Sequence, residues 1–185
     1  MKVIETKLKG CFIIEPNVFG DDRGYFFESF NKKKFQEETG VEVDFVQDNQ
    51  SLSNRGVLRG LHFQKDEFAQ AKLVRVIKGK VLDVVVDLRP KSPTFGEVYS
   101  VELSEKNKLQ LFVPRGFAHG FSVLEDKTIF SYKCDNYYNK SSEGGVVYND
   151  SQLNIDWKLK ESEILLSEKD RMLPYFSSFR ENHKF

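Results

Sequence analysis

The stretch Val57-Leu58-Arg59-Gly60-Leu61-His62-Phe63-Gln64 alternates apolar and polar side chains over most of its length. A period of two is typical of a β-strand, on which successive side chains point to opposite faces. The pattern therefore predicts a short strand with His62 on one face and Arg59, among apolar groups, on the other. Gly60 lies between them, and its missing side chain lets a ligand or a second strand approach closely. We interpret this strand as one wall of an active site.

Similar short segments, separated by turns rich in Gly and Pro, recur along the rest of the chain. They predict strands over 11–15, 25–30, 41–53, 72–77, 81–88, 97–103, 109–113, 121–124 and 129–135. A helix is expected over 32–39, between the N-cap Asn31 and the stop at Gly40, and another is expected to begin after Ser167. Many strands and little helix indicate an all-β sandwich or small barrel.

Composition limits the classes of function. The 185 residues are expected to form a single domain, 1–185, and they contain 28 Lys and Arg against 28 Asp and Glu. Because nucleic-acid and membrane-surface binding require a basic excess, neither is expected. Cys11 and Cys134 form no metal-binding pattern and are expected to be free thiols. No apolar segment is long enough for a signal peptide or a membrane span, so a soluble, cytoplasmic protein is expected.

Few residues are candidates for chemistry. Of the three histidines, His183 lies in the C-terminal tail, whereas His62 and His119 fall in predicted β regions beside glycines. A single histidine on a strand is more often structural than catalytic, but two beside glycines favour a functional role. Gln47, Asn49 and Ser51 share one face of a predicted strand and form either a solvent face or the polar floor of a pocket.

The spacing Pro114-x-Gly116-x-x-His119 resembles the second motif of the cupin superfamily of β-barrels. The first cupin motif has two histidines as His-x-His, but here the segment is His62-Phe63-Gln64. A neutral amide is a poor ligand for a transition metal, so no metal is expected. The alternative is a metal-dependent cupin oxygenase or isomerase, with His62, His119 and Glu67 as ligands.

A closer resemblance extends over nearly the whole chain. Its segments are Asp22-Arg23-Gly24, Arg59-Gly60-Leu61-His62, Gln70-Ala71-Lys72, 83–89, 92–96, 114–121, 132–138 and Ser167-Glu168-Lys169-Asp170. On these motifs the chain resembles the dTDP-4-dehydrorhamnose 3,5-epimerase family. The resemblance implies a cupin-type β-sandwich or jelly-roll barrel with a few short peripheral helices, no metal, no cofactor, and a homodimer.

The activity implied by the resemblance is inversion of C3 and C5 of dTDP-4-dehydro-6-deoxy-D-glucose, giving dTDP-4-dehydro-L-rhamnose for deoxysugar biosynthesis. Both carbons flank the C4 ketone, so removal of their protons gives an enolate. His62 is implied as the base, Asp170 as the carboxylate that orients it, and Tyr132 as the acid on the opposite face. Lys72 is implied beside the C4 oxygen. Without the resemblance, each residue also has a purely structural interpretation. Asp170 can be a carboxylate at a helix start, Tyr132 a tyrosine packed in the core, and Lys72 a solvated lysine.

The resemblance also implies the substrate contacts. Arg23 and Arg59 match pyrophosphate-binding positions, which suit the bidentate geometry of guanidinium. The other implied substrate contacts are Phe26, Glu28, Gln47, Asn49, His119, Tyr138, Glu143 and Lys169. Two further alternatives stay open at this point: an epimerase that acts on C3 or C5 alone, and a cupin that binds a sugar nucleotide without turnover.

Overall fold

The computed structural model describes residues 1–181, which form two antiparallel β-sheets with short helices at the periphery. The six-stranded sheet contains, in spatial order, β1 (Lys2–Glu5), β2 (Phe12–Glu15), β10 (Gln110–Val113), β7 (Lys72–Lys78), β12 (Thr128–Cys134) and β5 (Gln47–Ser53). The five-stranded sheet contains β13 (Glu143–Gly145), β6 (Leu58–Gln64), β11 (Phe117–Val123), β8 (Lys80–Asp87) and β9 (Val98–Ser104). The all-β sandwich predicted from the sequence is confirmed.

The sandwich is held together by apolar side chains from the facing sides of the two sheets. Val74 and Phe130 of the six-stranded sheet pack in one buried cluster with Val85 and Phe121 of the five-stranded sheet. The rings of Phe121 and Phe130 stack with their centroids 4.1 Å apart. Burial of one such side chain stabilises the fold by about 1.5–3 kcal/mol. The alternation of the strands thus directs one set of side chains between the sheets.

The helices lie outside the sandwich. α1 (Lys32–Thr39) begins after Asn31, whose side chain accepts a hydrogen bond from the Lys34 N–H, and ends at Gly40, where φ is 70°. Its buried Phe35 packs on the outer face of the six-stranded sheet. α2 (Glu168–Arg171) begins after Ser167, and α3 is Ser178–Glu181. Both predicted helix starts are confirmed. No helix within residues 1–181 has the length and apolarity needed to cross a membrane.

A β-bulge in β6 changes the face assignment made from the sequence. His62 pairs with His119 of β11, but Arg59 pairs with Phe121, so three steps along β6 match two steps along β11. The extra residue reverses the alternation, as β-bulges do. Arg59 and His62 therefore line the same cavity, and their predicted placement on opposite faces was wrong. An added Cβ on Gly60 would lie 2.5 Å from Gly120 Cα, which confirms the predicted close approach.

Other predicted boundaries also need correction. The strand expected over 41–53 begins only at Gln47, and β11 begins at Phe117, ahead of the start predicted at residue 121. The strand expected over 25–30 is replaced by a hairpin of β3 (Phe19–Asp21) and β4 (Gly24–Phe26), so Glu28 lies outside any strand. β13 lies in a polar segment over which no strand was predicted. The same polar residue types occur in strands and in turns, so the local sequence does not show where a strand begins. His183 lies outside the described residues.

Candidate active site

A cavity of about 690 Å³ opens between the two sheets. It brings together eight of the predicted site residues: Asn49, Arg59, His62, Lys72, His119, Tyr132, Lys169 and Asp170. A second cavity of about 320 Å³ adds Gln47, Tyr138 and Glu143, and shares Asn49, His62, Lys72 and Tyr132 with the first. The two cavities therefore lie side by side, with these four residues between or along both of them.

His62 and Asp170 form a hydrogen-bonded pair at the wall made by β6. His62 Nε2 lies 2.7 Å from Asp170 Oδ1, and the Asp170 side chain is 6% exposed. The carboxylate is placed by α2, because Ser167 Oγ accepts a hydrogen bond from the Asp170 N–H at 3.1 Å. Burial acts to raise the pKa of Asp170, but the hydrogen bond and charge of His62 outweigh it and the pKa is lowered. An ionised Asp170 accepts the Nε2 proton and leaves Nδ1 as the basic nitrogen of His62.

Tyr132 approaches the same cavity from β12 of the opposite sheet. Burial raises the pKa of its phenol, assisted by Cys134 and opposed by Arg59. A phenol with a raised pKa stays protonated near neutral pH and can donate a proton. The imidazole and the phenol therefore face one space from two different walls, which is the arrangement that acid and base require when they act on opposite faces of a ring.

Lys72 of β7 lines both cavities, and its Nζ lies 6.0 Å from the centroid of the Tyr132 ring. Burial lowers the pKa of Lys72 because desolvation disfavours the ammonium. Among the ion pairs of residues 1–181, none joins Lys72 to a carboxylate. A partly desolvated cation beside the acid and the base is suited to stabilise a developing oxyanion.

A second imidazole–carboxylate pair lies beside the first. His119 Nε2 is 3.0 Å from each carboxylate oxygen of Asp83, whose side chain is fully buried. His119 is directly opposite His62 in the register of β11 and β6. Burial raises the pKa of Asp83, while His119 and Lys72 act against that rise. Asp83 was not among the predicted site residues, although an acidic residue inside an apolar strand is a signal of a specific partner.

The rim of the site is polar and internally connected. Glu143 forms an ion pair with Lys169 and accepts a hydrogen bond of 2.9 Å from the Tyr138 hydroxyl. Burial acts to raise the pKa of Glu143, but Lys169, Tyr138 and the charge of His62 together lower it. The floor residues Gln47 and Asn49 are joined by a hydrogen bond of 3.1 Å. The period-two polar face of β5 is thus part of the pocket.

The two predicted pyrophosphate arginines differ in position. Arg59 lies in the cavity wall, where its Nη2 donates to Ser53 Oγ at 3.3 Å. It is exposed in the described chain. Its guanidinium has no carboxylate partner among the ion pairs of residues 1–181, and it is therefore available to an anion.

Three predicted contacts lie outside both cavities of the described chain. The Arg23 side chain is 90% exposed at the tip of the β3–β4 hairpin and pairs with Asp21. Phe26 is 70% exposed on the same hairpin. Glu28 pairs with Lys34 at 2.8 Å. One copy of the chain therefore does not bring these three residues to the site.

The third residue of the metal alternative, Glu67, is not brought to His62 and His119. Glu67 is an exposed residue of a short 3₁₀-helix over 66–68 and lines neither cavity, while His62 and His119 each have a carboxylate partner. Within residues 1–181 no cluster of three or more His, Cys, Asp or Glu has a metal-binding arrangement. Gln64 has a structural role, since its side-chain oxygen accepts the Asn139 N–H at 2.9 Å.

Comparisons with known proteins identify one family. The family model described as dTDP-4-dehydrorhamnose 3,5-epimerase matches residues 5–178. The dTDP-4-dehydrorhamnose 3,5-epimerase of Shigella flexneri is 53% identical over 170 residues, which are 92% of this chain and 93% of that protein. The Elizabethkingia anophelis enzyme of the same name superposes with a TM-score of 0.93 at 61% identity, covering 96% of this chain and 97% of that chain.

A third comparison concerns a ligand complex. The dTDP-6-deoxy-D-glucose-3,5-epimerase of Legionella pneumophila, crystallised with dTDP-4-keto-L-rhamnose, superposes with a TM-score of 0.91 at 45% identity. The match covers 100% of this chain and 99% of that chain. The similarity therefore includes all of the elements that line the cavity.

Proposed function

The chain belongs to the dTDP-4-dehydrorhamnose 3,5-epimerase family, and we propose how its cavity converts dTDP-4-dehydro-6-deoxy-D-glucose to dTDP-4-dehydro-L-rhamnose. The observation that carries the proposal is that the His62–Asp170 pair and Tyr132 line one cavity from two different sheets. A base and an acid placed in this way can remove a proton from one face of a sugar carbon and return one to the other.

The chemistry follows from the C4 ketone, which acidifies the protons on C3 and C5. In our proposal His62 Nδ1 takes the proton, while Asp170 holds the ring and stabilises the imidazolium. The electron pair moves onto the C4 oxygen, and the enolate is stabilised by Lys72. Tyr132 then protonates the carbon from the opposite face, and exchange with solvent through the open cavity resets both groups. The same steps at the second carbon complete the reaction.

Burial assists two of these roles. The burial that lowers the pKa of Lys72 destabilises a lone ammonium, so a negative oxygen beside it is favoured. One well-placed donor of this kind is worth roughly 3 kcal/mol in the transition state. Arg59 is proposed to bind the pyrophosphate, and Gln47, Asn49, Tyr138, Glu143 and Lys169 to contact the rest of the substrate.

Deuterium exchange tests the proposal. Wild-type protein incubated with dTDP-4-dehydro-6-deoxy-D-glucose in heavy water should incorporate deuterium at both C3 and C5. NMR should identify the product as dTDP-4-dehydro-L-rhamnose. His62→Ala should abolish exchange. Tyr132→Phe should lower epimerisation while some exchange remains, because abstraction does not need the phenol. Exchange at one carbon alone would indicate a C3- or C5-only epimerase, and no exchange with any nucleotide 4-ketosugar would refute the proposal.

We further propose that the active form is a homodimer in which each chain supplies its β3–β4 hairpin to the other. In residues 1–181 this hairpin pairs only with itself, and it exposes Phe19 by 64%, Tyr25 by 59% and Phe26 by 70%. An exposed apolar patch of this kind is typical of an interaction surface. Insertion into a second copy would add Arg23 and Phe26 to a site that lacks them.

Subunit complementation tests the exchanged hairpin. Arg23→Ala and His62→Ala chains, each of low activity alone, are mixed under conditions that allow exchange. A mixed dimer then contains one intact site, and random mixing of equal amounts gives about a quarter of wild-type activity. If each hairpin serves its own chain, mixing restores nothing. Sedimentation equilibrium of wild-type protein gives the oligomeric state directly.

Two further predictions complete the proposal. The chain is proposed to act as one domain, 1–185, in the cytoplasm. Both cysteines are free and buried, which agrees with a reducing compartment. Limited proteolysis tests the first prediction, because a single domain leaves one resistant fragment. Cell fractionation tests the location.

A further inference from the structure

His119 has one ring nitrogen without a partner inside the protein. Its side chain is 7% exposed and lines the large cavity. Nε2 is bonded to Asp83, but the hydrogen bonds of residues 1–181 include none to Nδ1. Buried polar atoms nearly always have a hydrogen-bond partner, from the protein or from bound molecules. The partner of Nδ1 therefore has to come from the contents of the cavity.

The geometry of Asp83 identifies the nitrogen that holds the proton. The two carboxylate oxygens are equally distant from Nε2, at 3.0 Å each. One N–H shared between two acceptors has this symmetry, whereas a protonated carboxyl would donate through one oxygen and lie closer on that side. Nε2 is then the donor, and Nδ1 of a neutral imidazole is an acceptor.

The neighbours of His119 indicate which ligand group it meets. Its cross-strand partner is His62, and side chains directly opposite on antiparallel strands are close. The sugar ring that His62 deprotonates is therefore the group beside His119. In the proposed function the C4 ketone oxygen, which only accepts hydrogen bonds, is bound by Lys72. Among the groups of the sugar, the partner of an accepting Nδ1 is therefore a hydroxyl.

We propose that Asp83 is a positioning residue that holds His119 in the Nε2–H tautomer, so that Nδ1 accepts a hydrogen bond from a hydroxyl of the bound sugar. The inference rests on the proposed function for the identity of the ligand, but the tautomer is a property of the protein alone. The charged or titratable groups that share the cavity with His119 are Lys72, Arg59, His62, Asp170, Lys169 and Tyr132.

Nitrogen-15 NMR of histidine-labelled protein tests the tautomer. With three histidines in the chain, His119 is assigned from the signals that remain in the His62→Asn and His183→Gln variants. Near pH 7.5 we expect a protonated Nε2 and an unprotonated Nδ1 in wild-type protein. In Asp83→Asn the amide can donate or accept, and the Nδ1–H form should appear. A wild-type His119 with its proton on Nδ1 overturns the proposal without any variant of Asp83.

Asp87→Asn is the matched control. Asp87 is on the same strand and has a fully buried side chain, but its partners are Arg89, Ser92 and Thr94. Its loss should lower stability and leave the His119 tautomer unchanged. An equal change of the tautomer in both variants would show a general loosening of β8 and would contradict a specific role for Asp83.

Ligand binding tests the hydroxyl contact. Calorimetry is done with dTDP and with dTDP-glucose, which has hydroxyls and no ketone. Asp83→Asn should weaken binding of dTDP-glucose by about tenfold, the scale of one lost hydrogen bond to a buried group, and change dTDP binding less than twofold. Equal weakening of both ligands overturns the contact. If wild-type protein binds neither ligand, the contact fails together with the proposed function, and the NMR result still decides the tautomer.

Discussion

Replacement of Asp170 by Asn is expected to remove most of the activity and leave the fold intact. The substitution keeps the shape of a side chain that is 6% exposed, but it removes the charge that lies 2.7 Å from His62 Nε2. An amide can also donate to Nε2, which would place the remaining ring proton on Nδ1, the nitrogen that has to act as the base. The loss should therefore appear in kcat more than in KM.

The magnitude follows from what the base contributes. General base catalysis typically contributes about 10²–10⁴-fold, so kcat should fall by that factor, which is about 3–5.5 kcal/mol in the barrier. Loss of a hydrogen bond to a charged group, the Asp170 carboxylate, should also lower the free energy of unfolding by about 1.5–3 kcal/mol. The pKa of Asp170 is lowered in the folded state, so this stabilisation exists above the unfolded carboxyl pKa and is lost as the pH falls through the folded one.

The assays are deuterium incorporation, product formation and urea unfolding at several pH values. Ser167→Ala is the matched control, because it removes the cap of the same helix and leaves the carboxylate. It should cost about 1 kcal/mol of stability with a small effect on kcat. An Asp170→Asn protein with a kcat within threefold of wild type would refute the reasoning, as would a stability difference that grows at acid pH.

Three other results are expected. Lys72→Ala should lower kcat by about 100-fold, the scale of one oxyanion donor. Lys78→Ala, at an exposed position of the same strand, should leave kcat unchanged. Similar kcat values for the two variants would contradict the role of Lys72. Gly60→Ala should lower the melting temperature strongly, because φ is 121° and the new Cβ would lie 2.5 Å from Gly120 Cα. Gly20→Ala, on the exposed hairpin, is the control and should leave the melting temperature nearly unchanged. Burial raises the pKa of the Cys11 thiol to about 12 and also raises the pKa of the Cys134 thiol. Ellman's reagent should therefore react with neither thiol in native protein at pH 8, and with both after denaturation. Rapid reaction of the native protein would disprove the burial of the thiols.

Local patterns were sufficient for most of the framework. The sequence pattern predicted most strands of the two sheets, but not β1 or β13, and the cap residues predicted the starts of α1 and α2. Propensity, capping and alternation act between residues close in sequence, so they can be recognised without the fold. The family motifs named His62, Tyr132, Lys72 and Asp170 from four separate segments, and the structure collects all four in one cavity.

Other features were decided only by tertiary structure. The bulge that moves Arg59 to the face of His62 depends on the pairing of β6 with β11, and no local pattern specifies that register. The Asp83–His119 pair joins residues 36 positions apart, so strand pairing and the exclusion of water had to create it. Alternation along the chain is a property of neighbouring residues, but the partner of a buried charge is chosen by the fold as a whole.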